Sequence, residues 1–167
     1  MIFPMPGVLN IAIDFIAWLT IHVGVSKSID KIRLDAFNPD SWLYKERIWE
    51  RNGRSYQTFL KIRIWKRLLP DGAVIFKRGF VKNYLANTDA AYLLSFILET
   101  CRAELIHWVI FFFCFFFFIW NDWWIGTIMI AYAFVVNIPC VVTQRFNRIR
   151  LRRIYLRFRN PSRSYPQ

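Results

Sequence analysis

The chain has 167 residues, of which 56% are hydrophobic and 19% aromatic, and Lys and Arg exceed Asp and Glu by 12. This combination argues against a soluble nucleic-acid-binding protein, which needs positive charge but no long apolar blocks, and indicates an integral membrane protein with a basic cytoplasmic face. Three cysteines without a CxxC pair argue against a disulfide framework or zinc site, so we expect one membrane domain over residues 1–167 without metal or cofactor.

The first apolar stretch, residues 8–25, has about the length that a transmembrane helix requires. It contains Asp14 and His22, and no basic residue precedes it, so a cleaved signal peptide is disfavoured. Residues 26–104 follow as a predicted cytoplasmic segment, in which Trp, Lys and Arg alternate with turn signals at residues 52–53 and 70–72. This pattern predicts short amphipathic helices at the membrane interface.

Two further apolar spans are predicted at residues 105–120 and 123–142, separated only by Asn121 and Asp122. A helix that begins near residue 89 and reaches residue 120 would be roughly 48 Å long, which exceeds the thickness of a bilayer core. We therefore expect its first half to lie in the interface, or to tilt, before its second half crosses the bilayer. In the basic tail, residues 145–167, Arg alternates with apolar residues, which predicts that the third helix continues onto an anionic lipid surface.

The distribution of Lys and Arg predicts how the chain crosses the cell membrane. Residues 26–102 hold 15 basic residues and residues 145–167 hold 8, whereas residues 103–144 hold none. Because basic residues are retained in cytoplasmic loops, the sequence predicts a multi-pass protein with its N-terminus outside and its C-terminus in the cytoplasm.

Four ionisable residues, Glu99, Arg102, Glu104 and His107, stand directly before the second span. Charge at membrane depth is costly and indicates a functional site. Glu104 and His107 are three residues apart, so on a helix the carboxylate can orient the imidazole as a general base for a hydroxyl nucleophile. Glu99 and Arg102 form a second such pair, which would support the site or bind an anionic donor.

Two other interpretations of this segment remain open. The charged residues could merely anchor the helix at the interface, or Glu104 and His107 could be half of a carboxylate-bridged metal site. The metal interpretation is disfavoured because the chain has no second ExxH motif.

The third span carries Asn137 and Pro139, which indicate either a kink or a polar notch that faces His107. Asn137 could also polarise an acyl carbonyl. Supporting or donor-binding residues are predicted at the cytoplasmic end of this helix, where guanidinium groups suit phosphate or carboxylate. They are Gln144, Arg145, Asn147 and Arg148.

The segment Glu-Thr-x-Arg-Ala-Glu-Leu-Ile-His-Trp at residues 99–108 resembles the glycosyl-4,4'-diaponeurosporenoate acyltransferase family. The resemblance extends over residues 45–155 through further shared positions. Upstream these are Glu50, Gly53, Arg63-x-Trp65-Lys66, Asp71-Gly72 and Asn87-Thr88-Asp89; downstream they are Tyr132-Ala133, Asn137-x-Pro139 and Gln144-Arg145-x-Asn147-Arg148-x-Arg150-Leu151. Ile149, where the family pattern leads us to expect Pro, and the Phe-rich residues 111–118 depart from it.

The resemblance implies an acyl transfer in the biosynthesis of staphyloxanthin-type carotenoids. A fatty acyl group would move from an acyl-thioester donor, acyl-CoA or acyl-carrier protein, to a sugar hydroxyl of a glycosylated carotenoic acid. Membrane lipids are the other expected partners, and the sequence does not predict an oligomeric state. Two alternatives are an acyltransferase with another glycolipid acceptor and a non-enzymatic membrane subunit that binds anionic lipid or a partner protein.

Overall fold

The computed structural model describes residues 7–66 and 90–159, and within these ranges every regular element is helical. The described residues contain five α-helices: α1 (Gly7–Asp30), α2 (Arg54–Leu60), α3 (Ile62–Trp65), α4 (Ala90–Phe113) and α5 (Trp123–Arg159). Shorter 3₁₀ helices occupy Leu34–Ala36, Ile48–Gly53 and Cys114–Ile119. The predicted all-α fold class is thereby confirmed.

Three of these helical segments are long and apolar enough to cross a membrane: α1, Ala90–Ile119 and α5. This agrees with the predicted number of spans. The helices are longer than the apolar stretches alone, because Ala90–Ile119 has 30 residues and α5 has 37. The second helix begins at Ala90, as expected, and its last six residues form the 3₁₀ helix Cys114–Ile119. Helix α5 continues through Pro139 into the basic tail, as the alternating pattern predicted.

The central segment forms the short helices that its mixed composition predicts. A turn occurs at the predicted position 52–53, where Asn52 and Gly53 have φ values of 59° and 83°. Gly53 suits this left-handed backbone because it lacks a Cβ atom. The predicted turn at residues 70–72 and the end of the tail at residues 160–167 lie outside the described residues.

The described residues form two compact units, and the first contains residues 7–32 and 105–141. Its apolar packing centres on the buried Trp18 of α1. The indole stacks on Phe117 with 4.7 Å between ring centroids and contacts Tyr132 at 5.1 Å. Its Nε1 donates a hydrogen bond to the sulfur of Met129 over 3.3 Å. Trp18 therefore joins α1 both to the 3₁₀ helix Cys114–Ile119 and to α5.

Asp14, the acidic residue of the first span, lies buried in a polar cluster of this unit. Its Oδ1 accepts hydrogen bonds from Trp120 Nε1 and Asn121 Nδ2, each over 2.8 Å. Asn10 Nδ2 donates to Asn121 Oδ1 over 3.1 Å. A buried carboxylate requires such donors, so this cluster satisfies Asp14 and fixes the turn at residues 120–122 against α1.

An apolar groove of about 500 Å³ lies between α1 and α4 in the first unit. On α1 it is lined by small side chains spaced one turn apart, Thr20, Gly24 and Ser28, and on α4 it includes Leu105 and Phe113. A Cβ atom at Gly24 would meet no atom within 4 Å, so these small residues leave open space. The groove's shape and composition suit a hydrocarbon chain.

The second unit contains residues 33–66, 90–104 and 142–159. Two apolar clusters hold it together: Tyr56 and Ile62 pack with Phe146 and Ile149, and Leu93, Phe96 and Ile97 pack with Leu151. Through these contacts the central segment and the start of α4 are both attached to the C-terminal part of α5. The assignment of residues 1–167 to a single domain stays a prediction.

Candidate active site

His107 lies on α4 in the first unit, opposite a buried polar residue of α5. Its Nδ1 atom is 3.1 Å from Oδ1 of Asn137, and Asn137 is fully buried. A polar notch at Asn137 facing His107 was one of two interpretations of the sequence, the other being a kink, and the structure places the two side chains in contact.

The orientation of the Asn137 amide determines which nitrogen of His107 carries the proton. Asn137 Nδ2 donates a hydrogen bond to the carbonyl oxygen of Ala133, one turn earlier on α5, over 3.0 Å. This contact directs Oδ1, which can only accept, towards the imidazole. In the neutral ring Nδ1–H is therefore the donor to Asn137, and Nε2 carries the lone pair that can accept a proton.

Glu104, one helical turn before His107 on α4, is fully buried in the second unit. Its Oε1 accepts a hydrogen bond from Arg145 Nη1 over 2.9 Å, and its Oε2 accepts one from Arg148 Nη2. The predicted pairing of Glu104 with His107 stays a prediction. Its contacts with the two arginines balance their charge.

Arg145 uses its whole guanidinium group within the protein. Its Nε and Nη2 donate to the two carboxylate oxygens of Glu50 over 2.9 and 3.1 Å. Its Nη1 also donates to the backbone oxygen of Leu43, and Nη2 to that of Lys45. Such a bidentate pair fixes geometry as well as charge, so Arg145 ties α5 to the central segment and to Glu104.

Arg148 extends this network along α5. It is buried, its Nε donates to the backbone oxygen of Tyr44 over 3.2 Å, and its guanidinium lies 5.4 Å from the centroid of the Tyr44 ring. Two carboxylates, Glu50 and Glu104, thus face two guanidinium groups. We call these four residues, Glu50, Glu104, Arg145 and Arg148, the buried ion-pair network, and its formal charge sums to zero.

Burial and the buried ion-pair network together shift the pKa values of Glu50 and of two tyrosines outside the membrane spans. Burial alone would raise the pKa of Glu50, but hydrogen bonds from Arg145 and Tyr56 hold it below its usual value. Burial, followed by the hydrogen bond and charge of Glu50, raises the pKa of Tyr56. Burial and the charge of Glu104 likewise raise the pKa of Tyr44 to about 12. At neutral pH Glu50 is therefore ionised and both tyrosines are protonated, so the Tyr56 hydroxyl donates to Glu50.

The remaining predicted site residues have different surroundings. Glu99 and Arg102 form the predicted ion pair, with 2.6 Å between Oε2 and Nη2, and both side chains are largely buried. Asn147 accepts a hydrogen bond from Lys66 Nζ over 3.3 Å, and Gln144 is buried. The structure brings Glu104, Arg145 and Arg148 together, whereas Glu99 with Arg102 and Asn147 with Lys66 make separate pairs.

Sequence reasoning did not include Glu50 or Tyr56 among the site residues. Glu50 is fully buried and lies 95 residues from Arg145 in the sequence, a distance that no local pattern reveals. The available signal was that Glu50 is among the positions that carry the family resemblance. Within the described ranges, no three His, Cys, Asp or Glu side chains are grouped in a way that could hold a metal ion.

Comparisons with known proteins identify the family that this chain resembles. The model of the glycosyl-4,4'-diaponeurosporenoate acyltransferase family matches residues 40–157. A protein of this name from Staphylococcus haemolyticus (strain JCSC1435) is 30% identical over 154 residues, which cover 88% of this chain and 86% of the relative. Another from Staphylococcus aureus (strain N315) is 27% identical over 134 residues, covering 80% and 81%. No solved structure matches the chain.

The matched range includes Glu50, Glu104, His107, Asn137 and Arg145, and thus the residues of both the His107–Asn137 pair and the buried ion-pair network. The family model covers well over half of the sequence, and the three long apolar helices suit a membrane enzyme. The chain therefore belongs to the glycosyl-4,4'-diaponeurosporenoate acyltransferase family, and it is an acyltransferase.

Proposed function

We propose that the protein transfers a fatty acyl group from an acyl thioester to a sugar hydroxyl of a glycosylated carotenoic acid. The relatives' name specifies a glycosylated diaponeurosporenoate and an acyltransferase activity. A membrane enzyme suits such an acceptor, because its polyene is apolar and its sugar is polar.

The observation that carries the mechanism is the contact between His107 Nδ1 and Asn137 Oδ1 at 3.1 Å. With Asn137 held by Ala133, the imidazole presents Nε2 as the basic nitrogen. A general base in this state removes the proton from a hydroxyl as it attacks a carbonyl carbon. Asn137 is thus a positioning residue, and His107 is the group that meets the reacting hydroxyl.

In the proposed step, the sugar oxygen forms a bond to the acyl carbonyl carbon while His107 Nε2 takes the hydroxyl proton. The tetrahedral intermediate then collapses, the carbon–sulfur bond breaks, and the sulfur leaves with the bonding electrons. The imidazolium returns its proton to that thiolate. The products are the acylated sugar and the free thiol, and His107 is neutral again.

The buried ion-pair network has a structural role in the second unit. Arg145 and Arg148 donate hydrogen bonds to Glu50, Glu104 and backbone oxygens. We therefore propose that these arginines hold α4 and α5 together rather than bind donor phosphates. The network therefore holds the part of α4 that ends at Glu104 against α5 within the second unit.

Acyl transfer is tested with the purified full-length protein in detergent or lipid. We expect a glucosylated carotenoic acid incubated with an acyl thioester to gain the mass of one acyl group. Acyl-CoA and acyl-carrier protein are compared as separate donors. Product formation only with an unrelated glycolipid acceptor would contradict the proposed acceptor but keep the enzyme class.

We propose the topology with the N-terminus outside and the C-terminus in the cytoplasm, supported by the absence of Lys and Arg from residues 103–144. A green fluorescent protein fused after Gln167 should fluoresce, whereas alkaline phosphatase at the same position should be inactive. For a fusion truncated after Asn121, in the turn between the second and third spans, we expect the reverse. Active phosphatase after Gln167 would refute this orientation.

A further inference from the structure

Six large apolar side chains of the central segment, between residues 42 and 64, are exposed. Their exposed fractions range from 45% to 99%. The residues are Trp42, Ile48, Trp49, Phe59, Leu60 and Ile64. Large apolar side chains that are exposed repeatedly along one short stretch of chain indicate a segment that contacts another molecule or a membrane.

The same stretch of chain is strongly basic. Between residues 45 and 63 the exposed basic side chains are Lys45, Arg51, Arg54, Lys61 and Arg63, and the exposed acidic side chain is Glu46. Apolar anchors interspersed with Lys and Arg are typical of segments that lie in the headgroup region of an anionic membrane. We call these exposed apolar and basic side chains together the basic–aromatic surface.

The inner side of this segment is firmly attached to α5. Ile62 and Tyr56 are buried against Phe146 and Ile149, while Ile64 and Phe59, only two or three residues away, are exposed. Because the interior contacts are already made, the outward side chains are available to a second molecule.

The 3₁₀ helix Ile48–Gly53 contributes to both the basic–aromatic surface and the buried ion-pair network. In the 3₁₀ helix Ile48–Gly53, Ile48 and Trp49 are exposed, whereas the next residue, Glu50, is fully buried. Glu50 holds Arg145 through two hydrogen bonds. Any molecule that restrains Ile48 and Trp49 therefore also restrains the position of Glu50.

We propose that the basic–aromatic surface docks on anionic phospholipid, with its apolar side chains among the upper acyl chains and its Lys and Arg residues at the headgroups. Charge complementarity selects this occupant: five exposed basic side chains against one acidic side chain favour an anionic partner. Trp42 and Trp49 suit the interface because an indole has an apolar ring and a polar N–H group.

The test places an environment-sensitive fluorophore on the full-length protein in vesicles. NBD is attached to Phe59→Cys in a Cys140→Ala background, because Cys101 and Cys114 are buried. The vesicles contain phosphatidylcholine alone or with phosphatidylglycerol. We expect blue-shifted NBD emission with phosphatidylglycerol and a return towards water-like emission at high salt. A label at Asp35→Cys, outside the surface, should remain water-like throughout.

Charge removal provides the matched comparison. Arg54→Gln with Arg63→Gln should abolish the effect of phosphatidylglycerol on the label at position 59. Lys31→Gln with Arg33→Gln removes the same charge from exposed positions outside the surface and should leave the effect intact. Water-like emission in both vesicle types, or equal emission in both, would overturn the proposal, whether or not the protein transfers acyl groups.

Discussion

His107→Ala is expected to lower the rate of acyl transfer by roughly 10²- to 10⁴-fold, the usual contribution of a general base. The contact of its Nδ1 with Asn137 Oδ1 at 3.1 Å supports Nε2 as the basic nitrogen, and alanine cannot replace it. The initial rate is measured by mass spectrometry of the acylated product. Unchanged turnover in this variant would refute the proposed base.

The chain offers a matched control, because His22 is its other histidine. His22 contacts the ring of Trp18 with 5.7 Å between centroids and belongs to no proposed step. His22→Ala removes the same side chain from the same unit and should retain most of the activity. Equal losses in the two variants would indicate damage to packing rather than loss of a base.

The positioning role of Asn137 predicts a separate kinetic effect, which is seen in kcat and in the double variant with His107→Ala. Asn137→Leu removes the acceptor for Nδ1–H, so the ring can adopt the tautomer in which Nε2 carries the proton and cannot act as base. Loss of an equivalent orienting group in a serine-protease triad lowers kcat by about 10⁴, and we expect a fall in kcat with little change in KM. In the His107→Ala background, Asn137→Leu should have almost no further effect on the rate. Additive losses would contradict a shared role.

The helical fold could be predicted because each span is an almost continuous apolar run. Local patterns mark the other features: a two-residue turn at Asn121 and Asp122, and the alternation of Arg with apolar residues after residue 145. The extents of the helical segment Ala90–Ile119 and of α5 agree with these patterns. The 3₁₀ conformation of Cys114–Ile119 was not predicted, since a run of Phe favours no particular helix type.

The candidate site was only partly predictable, because its contacts join residues far apart in the sequence. Helical spacing singled out Glu104 and His107, and the polar residue in an apolar span singled out Asn137. Spacing could not show that Glu104 faces Arg145 and Arg148, 41 and 44 residues later. Nor could it show that Glu50 joins them. Arg145 and Arg148 have carboxylate partners within the chain, and their predicted role in donor binding stays a prediction.

Glu104→Gln is expected to destabilise the protein by about 3–5 kcal/mol, the usual cost of breaking a buried ion pair. The carboxylate is fully buried and accepts hydrogen bonds from Arg145 and Arg148. Arg145 keeps Glu50 as a partner, so the loss of Glu104 leaves one uncompensated positive charge in the buried ion-pair network. Thermal unfolding in detergent would show a lowered Tm. Asp35→Asn, which removes a carboxylate from the exposed pair with Arg33, should change Tm little.

A double variant separates the ion pair from general damage to the core. Glu104→Gln combined with Arg148→Gln removes both charges, so it should be less destabilised than the sum of the two single variants. The favourable coupling would identify a charge interaction. Additive changes in Tm would contradict the inference that Glu104 and Arg148 stabilise the fold as a pair.

The pH dependence of stability provides the corresponding test for Glu50. Its folded-state pKa is lowered by hydrogen bonds from Arg145 and Tyr56 that outweigh burial, so its contribution to stability is complete above the unfolded-state pKa, about 4.3 for Glu. That contribution is lost as pH falls through the folded-state pKa. Wild type should therefore lose Tm in acid, while Glu50→Gln should begin lower at neutral pH and approach wild type as pH falls. A constant difference in Tm between the two proteins across this range would show that Glu50 does not contribute through its charge.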